Sequence, residues 1–223
     1  MSLSPLSLQK SAVLPKDGTV GALALRVWRP NLGGPSVCVL RGEDVVDISA
    51  AFPTMRDLCE VADPAAAMGS AKGEVFTNLD ALIANAGEAM RNPALPHILA
   101  PFDLQAIKAA GVTFATSMLE RVIEERARGN AEAAVALRRE ITALIGDDLS
   151  KLKPGSEQAM ALKQVLMEKG AWSQYLEVGI GPDAEIFTKA QPMSSVGLGA
   201  DAGLHPVSTW NNPEPEIVLA VSS

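Results

Sequence analysis

The sequence is short of the residues that build stapled or metal-clipped scaffolds. Two cysteines and two histidines are all that its 223 residues contain. Cys38 and Cys59 show no C-x-x-C spacing, which excludes a ribbon-type zinc site and a disulfide framework. His97 and His205 have no metal-like spacing and are given no role. Basic charge is also scarce. Against 26 Asp and Glu stand only 19 Lys and Arg, for a net charge of −7, and no Lys/Arg-rich run occurs. Sequence-independent nucleic-acid binding needs a basic footprint, so no nucleic-acid partner is expected. No uncharged stretch reaches the roughly 18 residues of a membrane span. The opening MSLSPLSLQ has no basic side chain of the kind that begins a secretory leader. These shortfalls set the expectation of an acidic, cytoplasmic protein with no membrane partner.

Apolar mass, in contrast, is plentiful. Hydrophobic residues make up 48 % of the chain and charged ones 20 %, enough to bury a sizeable core in one domain or two. Three short apolar runs come first: Gly21–Val27, Ser36–Leu40 and Val45–Ile48. With a turn signal at Gly42-Glu43-Asp44, they predict a small antiparallel meander. A short helix is expected over Thr54–Val61 with Thr54 as its cap, a loop over Asp63–Gly73 and a helix over Asn78–Met90. Pro93, Pro96 and Pro101 mark Asn92–Phe102 as a linker. Residues 1–95 therefore read as a small N-terminal α/β unit.

A helical section follows. Ser117-Met118-Leu119-Glu120 has the capping-box pattern, with Leu119, Val122 and Ile123 on one face and Gly129 as the stop. Asn130 caps a second helix bearing Leu137, Ile141, Leu144 and Ile145. A third runs from Pro154-Gly155-Ser156 to Gly170. Beyond it Tyr175–Ile180 and Ala184–Lys189 have strand character, Gln191–Asn212 reads as surface loop, and Glu214–Val221 as a buried strand. Gly179-Ile180-Gly181-Pro182 lacks the lysine and the helix of a phosphate cradle.

Chemistry concentrates at Glu214 and Glu216. Residues i and i+2 of a strand share a face, so two carboxylates would stand side by side. A hard dication, Mg²⁺ or Mn²⁺, would relieve their repulsion through oxygen ligands. An acidic strand edge in water, with Pro213 and Pro215 blocking further pairing, gives the same pattern.

Four segments, PFDLQAIKAAGVTF (101–114), SMLERVIEERARGN (117–130), WSQYLEVGIGPDAEIFTKAQPMSSVG (172–197) and WNNPEPEIVLAV (210–221), stand in this order. Together they resemble the fumarylacetoacetate hydrolase family, and within it the 2-keto-3-deoxy-pentonate (xylonate/arabinonate) dehydratases. The resemblance covers Pro101 to the end. It implies an α+β fold: a small N-terminal unit, then, over 96–223, a helical section and the first part of a β-rich catalytic core. It further implies Mg²⁺ (or Mn²⁺) on Glu214 and Glu216 and a small 2-oxo acid as substrate. The family's third metal ligand, an Asp, would fall beyond Ser223, so the chain is expected to be the amino-terminal part of a longer enzyme, inactive alone. Full-length members commonly form homodimers.

Hydrolytic members carry an aromatic residue, a His and a Glu at spacings of three; the matching positions are Phe114, Ser117 and Glu120. Serine in place of histidine favours dehydration of a 2-keto-3-deoxy sugar acid to a semialdehyde over water activation. Under the resemblance Glu120 moves protons, Ser117 and Lys189 orient substrate, and Phe114, Trp210, Asn211 and Asn212 line the pocket. C–C hydrolysis, oxo-acid decarboxylation and a non-catalytic truncated chain stay open. So do plainer roles: a capping box for Ser117 and Glu120, a solvated Lys189, a packing Trp210, and a solvated ion-pair face for Arg121, Glu124, Glu125 and Arg128.

Overall fold

A computed structural model describes residues 8–87, 91–111, 120, 123, 127, 130–145, 152–168, 170, 172–183, 185–209, 211 and 215–223. The chain forms two compact units, Met1–Ile107 with Ala190–Ser223, and Lys108–Lys189. Helix and sheet are mixed, with a five-stranded antiparallel sheet in the first unit and a two-stranded sheet elsewhere.

In the first unit a short helix α1 (Lys10–Val13) precedes strands β1 (Ala24–Arg29), β2 (Gly34–Arg41) and β3 (Asp44–Asp47). These form the predicted meander, with Val39 opposite Ala24 on β1 and opposite Val46 on β3. Side chains alternate between two cores, as the period of two demands. Val37, Val39, Val46 and Ile48 face one side, where α2 (Met55–Cys59) adds Met55 and Leu58 and α3 (Pro64–Ser70) adds Ala67 and Met68. Val27, Cys38 and Val45 face the other, against Leu82 of α4 (Leu79–Ala84). The sheet is thus sandwiched between helices, and β2 is apolar on both faces.

Thr54 caps α2 as expected, in a reciprocal box with Asp57. The loop expected over Asp63–Gly73 is instead α3. Asp63 accepts a hydrogen bond from the Ala66 amide, Pro64 occupies the first turn, and alanine-rich sequence propagates the helix. Strand β4 (Glu74–Asn78), absent from the sequence reading, joins the sheet beside β3, and Asn78 then caps α4 through the Ala81 amide.

The helix expected to reach Met90 stops at Ala84. Buried Asn85 diverts the chain: its Nδ2 donates to the carbonyls of Asn92 (3.2 Å) and Pro96 (3.0 Å), and its Oδ1 accepts from the Asn92 amide (2.8 Å). A side chain that binds nearby backbone in this way competes with helix continuation. The linker read over Asn92–Phe102 contains β5 (His97–Leu99), which pairs antiparallel with β1. Prolines before and after a short edge strand cost it no ladder bond, because they lie outside the paired residues. The N-terminal sheet consequently extends past residue 95, the boundary suggested by the proline-rich composition.

The second unit carries α5 (Ala131–Ile145), α6 (Glu157–Glu168) and α7 (Gln174–Ile180). Strands β6 (Ile107–Ala110) and β7 (Ile186–Ala190) pair with each other. Asn130 caps α5 as predicted, its Oδ1 accepting from the amides of Glu132 and Ala133. The side chains of Leu137, Ile141, Leu144 and Ile145 lie outside the described residues. Of the preceding helix, Glu120, Ile123 and Ala127 are described and helical, with Ile123 fully buried.

Tyr175–Ile180, expected as a strand, is helix α7. Ser173 caps it, and Leu176 and Ile180, four apart, meet Ala159 and Leu166 of α6, with Trp172 packed alongside. An i,i+4 apolar pair with a partner helix outweighs the strand propensity of that segment. Ala184–Lys189 does give a strand, β7. Gln191–Asn212 is free of helix and strand among its described residues, as predicted.

The buried strand expected over Glu214–Val221 does not form: residues 215–223 carry no strand, and Ile217 is 91 % exposed. A strand needs a neighbour for its amides. Pro215 removes a donor from the segment, and no described strand pairs with it. No described helix is long and apolar enough to cross a membrane.

Candidate functional site

The residues singled out by sequence divide three ways. Phe114, Ser117, Trp210, Asn212 and Glu214 lie outside the described residues. Glu120 and Lys189 belong to the second unit and Glu216 to the first.

Glu120 is clasped by Arg138 of α5. Nε donates to Oε1 at 3.0 Å and Nη2 to Oε2 at 2.5 Å, a two-pronged pairing that fixes the carboxylate plane. The guanidinium holds the Glu120 carboxyl below the usual glutamate range, against a smaller opposing push from burial. In this pairing Glu120 is ionised at neutral pH and a weakened base. Its side chain is 42 % exposed, so a small molecule can reach it. Lys189 sits on β7, exposed, its Nζ 5.7 Å from the ring centre of Phe187. Two positions apart on a strand, these side chains share a face.

Glu216 is exposed and stands in a segment without sheet pairing. Among the described residues no group of three His, Cys, Asp or Glu side chains is placed to hold a metal ion. The described donors do not by themselves fit a Mg²⁺ or Mn²⁺ site.

What the first unit does build is a cleft of about 420 Å³ on the β5 side of the sheet, where Trp28, Arg91, His97 and Phe102 meet Met193 and Gly197 of the loop after β7. Backbone contact sets that loop down. Met193 N donates to the Asp103 carbonyl at 2.8 Å. At Gly197 a β-carbon would fall 2.3 Å from the Ile98 carbonyl oxygen, and at Gly199 (φ 75°) 2.3 Å from that of Ala86. Only glycine permits either approach.

The cleft wall is braced by two buried charges. Arg26 on β1 donates through Nη1 to the carbonyls of Ala100 (3.0 Å) and Phe102 (3.1 Å) and pairs through Nε with Asp103 (3.3 Å). Asp103, only 4 % exposed, also accepts from the amides of Met55 and Arg56, the open N–H groups at the start of α2. One carboxylate thereby ties β1, α2 and the segment after β5 together. Trp28 and His97, opposed on β1 and β5, have ring centres 6.4 Å apart at 28°.

No family model matches the chain, and no curated protein or solved structure matches it.

Sequence reasoning missed Arg26, Arg91 and Asp103. No motif announces them, and Arg26 and Asp103 find each other across 77 positions of sequence. The signal available was an arginine at an inward position of an apolar strand, which needs a buried acid or carbonyl to remain there. Neither cysteine is a reactive thiol: burial pushes Cys38 up to about 12, and burial likewise raises Cys59.

Proposed function

We propose that this chain belongs to a hydro-lyase of the fumarylacetoacetate hydrolase type, removing water from a 2-keto-3-deoxy-pentonate to give a 2-oxo acid semialdehyde. The observation that carries the reading is the ordered run of four segments between Pro101 and Val221, ending in Glu214-Pro215-Glu216. Serine at 117, in place of the histidine of water-activating members, supports dehydration over C–C hydrolysis.

The reaction needs a base for the C3 proton and an acid for the departing C4 hydroxyl. Glu120 supplies an accessible carboxylate for proton transfer. Its grip by Arg138 means that release from that pair would precede a strong basic role, since the guanidinium lowers its proton affinity. Lys189 offers an exposed cation for the substrate carboxylate. Glu214 and Glu216 are the carboxylates that this reading assigns to Mg²⁺, whose contribution when bound is Lewis-acid polarisation of the 2-oxo group.

The test is product analysis on the protein as its gene encodes it, supplied with 2-keto-3-deoxy-pentonate and Mg²⁺. Loss of one water with appearance of an aldehyde supports the reading, as does a fall in kcat of about 100-fold or more in Glu120→Gln. Release of two carboxylic acids or of carbon dioxide would replace dehydration with hydrolysis or decarboxylation. Full activity in Glu120→Gln removes Glu120 from the chemistry.

A second reading, a non-catalytic chain, is favoured by one observation. Ile217, Leu219 and Val221 are 91 %, 79 % and 82 % exposed, as in a segment awaiting a partner. It requires that millimolar Mg²⁺ leave the melting temperature unchanged. A rise of several degrees counts against it.

A further inference from the structure

We propose that the cleft beside β5 is a binding site for a small organic carboxylate with a flat, apolar body, held through the guanidinium of Arg91. The inference is independent of the dehydratase reading, for it uses neither Glu120 nor Glu216.

Two arginines line the cleft, and they differ in what already occupies them. Arg26 is consumed by Asp103 and two carbonyls. Arg91 makes a single long hydrogen bond, from Nη2 to the Ala86 carbonyl at 3.3 Å, and its Nε is buried with no hydrogen-bond partner. Among the described residues no acid pairs with it. A guanidinium has five N–H donors in a planar fork; with Nε sealed from solvent, the unspent capacity that a ligand can reach lies on the two Nη groups. A half-buried cation with orphaned donors gains from an anion that brings two oxygens in one plane, and a carboxylate has that shape.

The rest of the wall decides which anion fits. Trp28, Phe102, Met193 and Val196 make it largely apolar. A strongly hydrated dianion such as phosphate would lose water against these side chains without replacement. A monocarboxylate with a flat body sheds little hydration there and stacks on aromatic rings. At about 420 Å³ the space suits a metabolite-sized molecule rather than a polymer segment.

Sodium benzoate is the probe, titrated into the purified chain by calorimetry, with benzamide and inorganic phosphate as parallel arms. Saturable benzoate binding is expected, with a Kd of about 1 mM. Benzamide, isosteric but uncharged, is expected to bind at least about tenfold more weakly, and phosphate not to saturate. Arg91→Met should weaken benzoate at least about tenfold while far-UV circular dichroism stays unchanged, and Arg91→Lys should recover part of the loss. The site assignment is overturned if benzoate does not saturate, if Arg91→Met binds it as tightly as wild type, or if benzamide equals benzoate. If phosphate saturates and benzoate does not, the cleft is an inorganic-anion site and the carboxylate assignment fails.

Discussion

In the sheet unit the residues that share a core come from remote parts of the sequence: Val27 packs with Leu82, and Arg26 reaches Asp103. In the helical unit the core of Ala159, Leu166, Leu176 and Ile180 comes from neighbouring helices, and the ion pairs among its described residues, Lys163 with Glu177 and Arg138 with Glu120, are partly exposed. The sheet unit buries charge as well as apolar surface. Arg29 is 6 % exposed, bonded to Asp47 at 2.7 Å and stacked 4.2 Å over the Phe76 ring. Contacts of this kind resist local opening, because each joins several elements. Contacts between adjacent helices can be lost one hairpin at a time.

Four experiments would break or sharpen that contrast. The largest effect is expected at Asp103. Asp103→Ala strands the buried Arg26 and opens the first turn of α2, so urea denaturation should show a loss of about 3–5 kcal/mol. A loss under about 1 kcal/mol would mean that Asp103 is not the tie it looks to be.

Next come matched cavities, Leu82→Ala in the sheet unit and Leu166→Ala in the helical one. Each leucine is almost fully buried, and each truncation should cost about 3 kcal/mol. The two cores share no residue, so Leu166→Ala should reduce helical circular dichroism while amide protection in β1–β3 persists, and Leu82→Ala should lower that protection. Equal loss of both signals in either variant would show one cooperative core.

Acid should then separate the units by a smaller margin. Burial pushes the Asp47 carboxyl up, but hydrogen bonds from Ser36, Ser49 and Arg29 outweigh it and hold the group below the usual range. With the folded value depressed, its stabilisation is present above the ordinary aspartate range and drains away as pH falls through the lowered value. Asp47→Asn should cost about 2 kcal/mol at neutral pH and flatten the acid limb of the stability profile. An unchanged profile would exclude Asp47 as a source of acid sensitivity.

The smallest change is expected at the surface pair. Arg138→Gln should alter stability by less than about 0.5 kcal/mol, yet raise the Glu120 carboxyl toward its ordinary value, since Arg138 is the main cause of its lowering. NMR titration of Glu120 reads this directly, and no movement would mean that the pair does not persist in solution.

Local signals in the sequence announced those elements whose cause is local. The meander followed from apolar runs and a turn, α2 from the Thr54 cap, α5 from Asn130, and α6 from the stop at Gly170. Of three misreadings, the first passed over a local signal, the Asp63 cap and Pro64, and the other two turned on a tertiary partner. At α3, alanines after Asp63-Pro64 looked like uninformative loop. At α7, a strand-like hexamer found a helix to pack on. Over Glu214–Val221, a strand pattern lacked a described partner. The candidate site was less legible than the fold, because the cleft takes Trp28, Arg91 with His97, and Met193 from three separate segments.

Alternation of apolar residues, capping side chains and turn glycines act within a few positions, and these alone dictated the order and type of most elements. Which arginine is neutralised by Asp103 and which keeps open donors was settled by β5 pairing with β1 and by the glycine loop settling against it. Charge compensation depends on distance in space, and distances between remote segments exist only after the chain has folded.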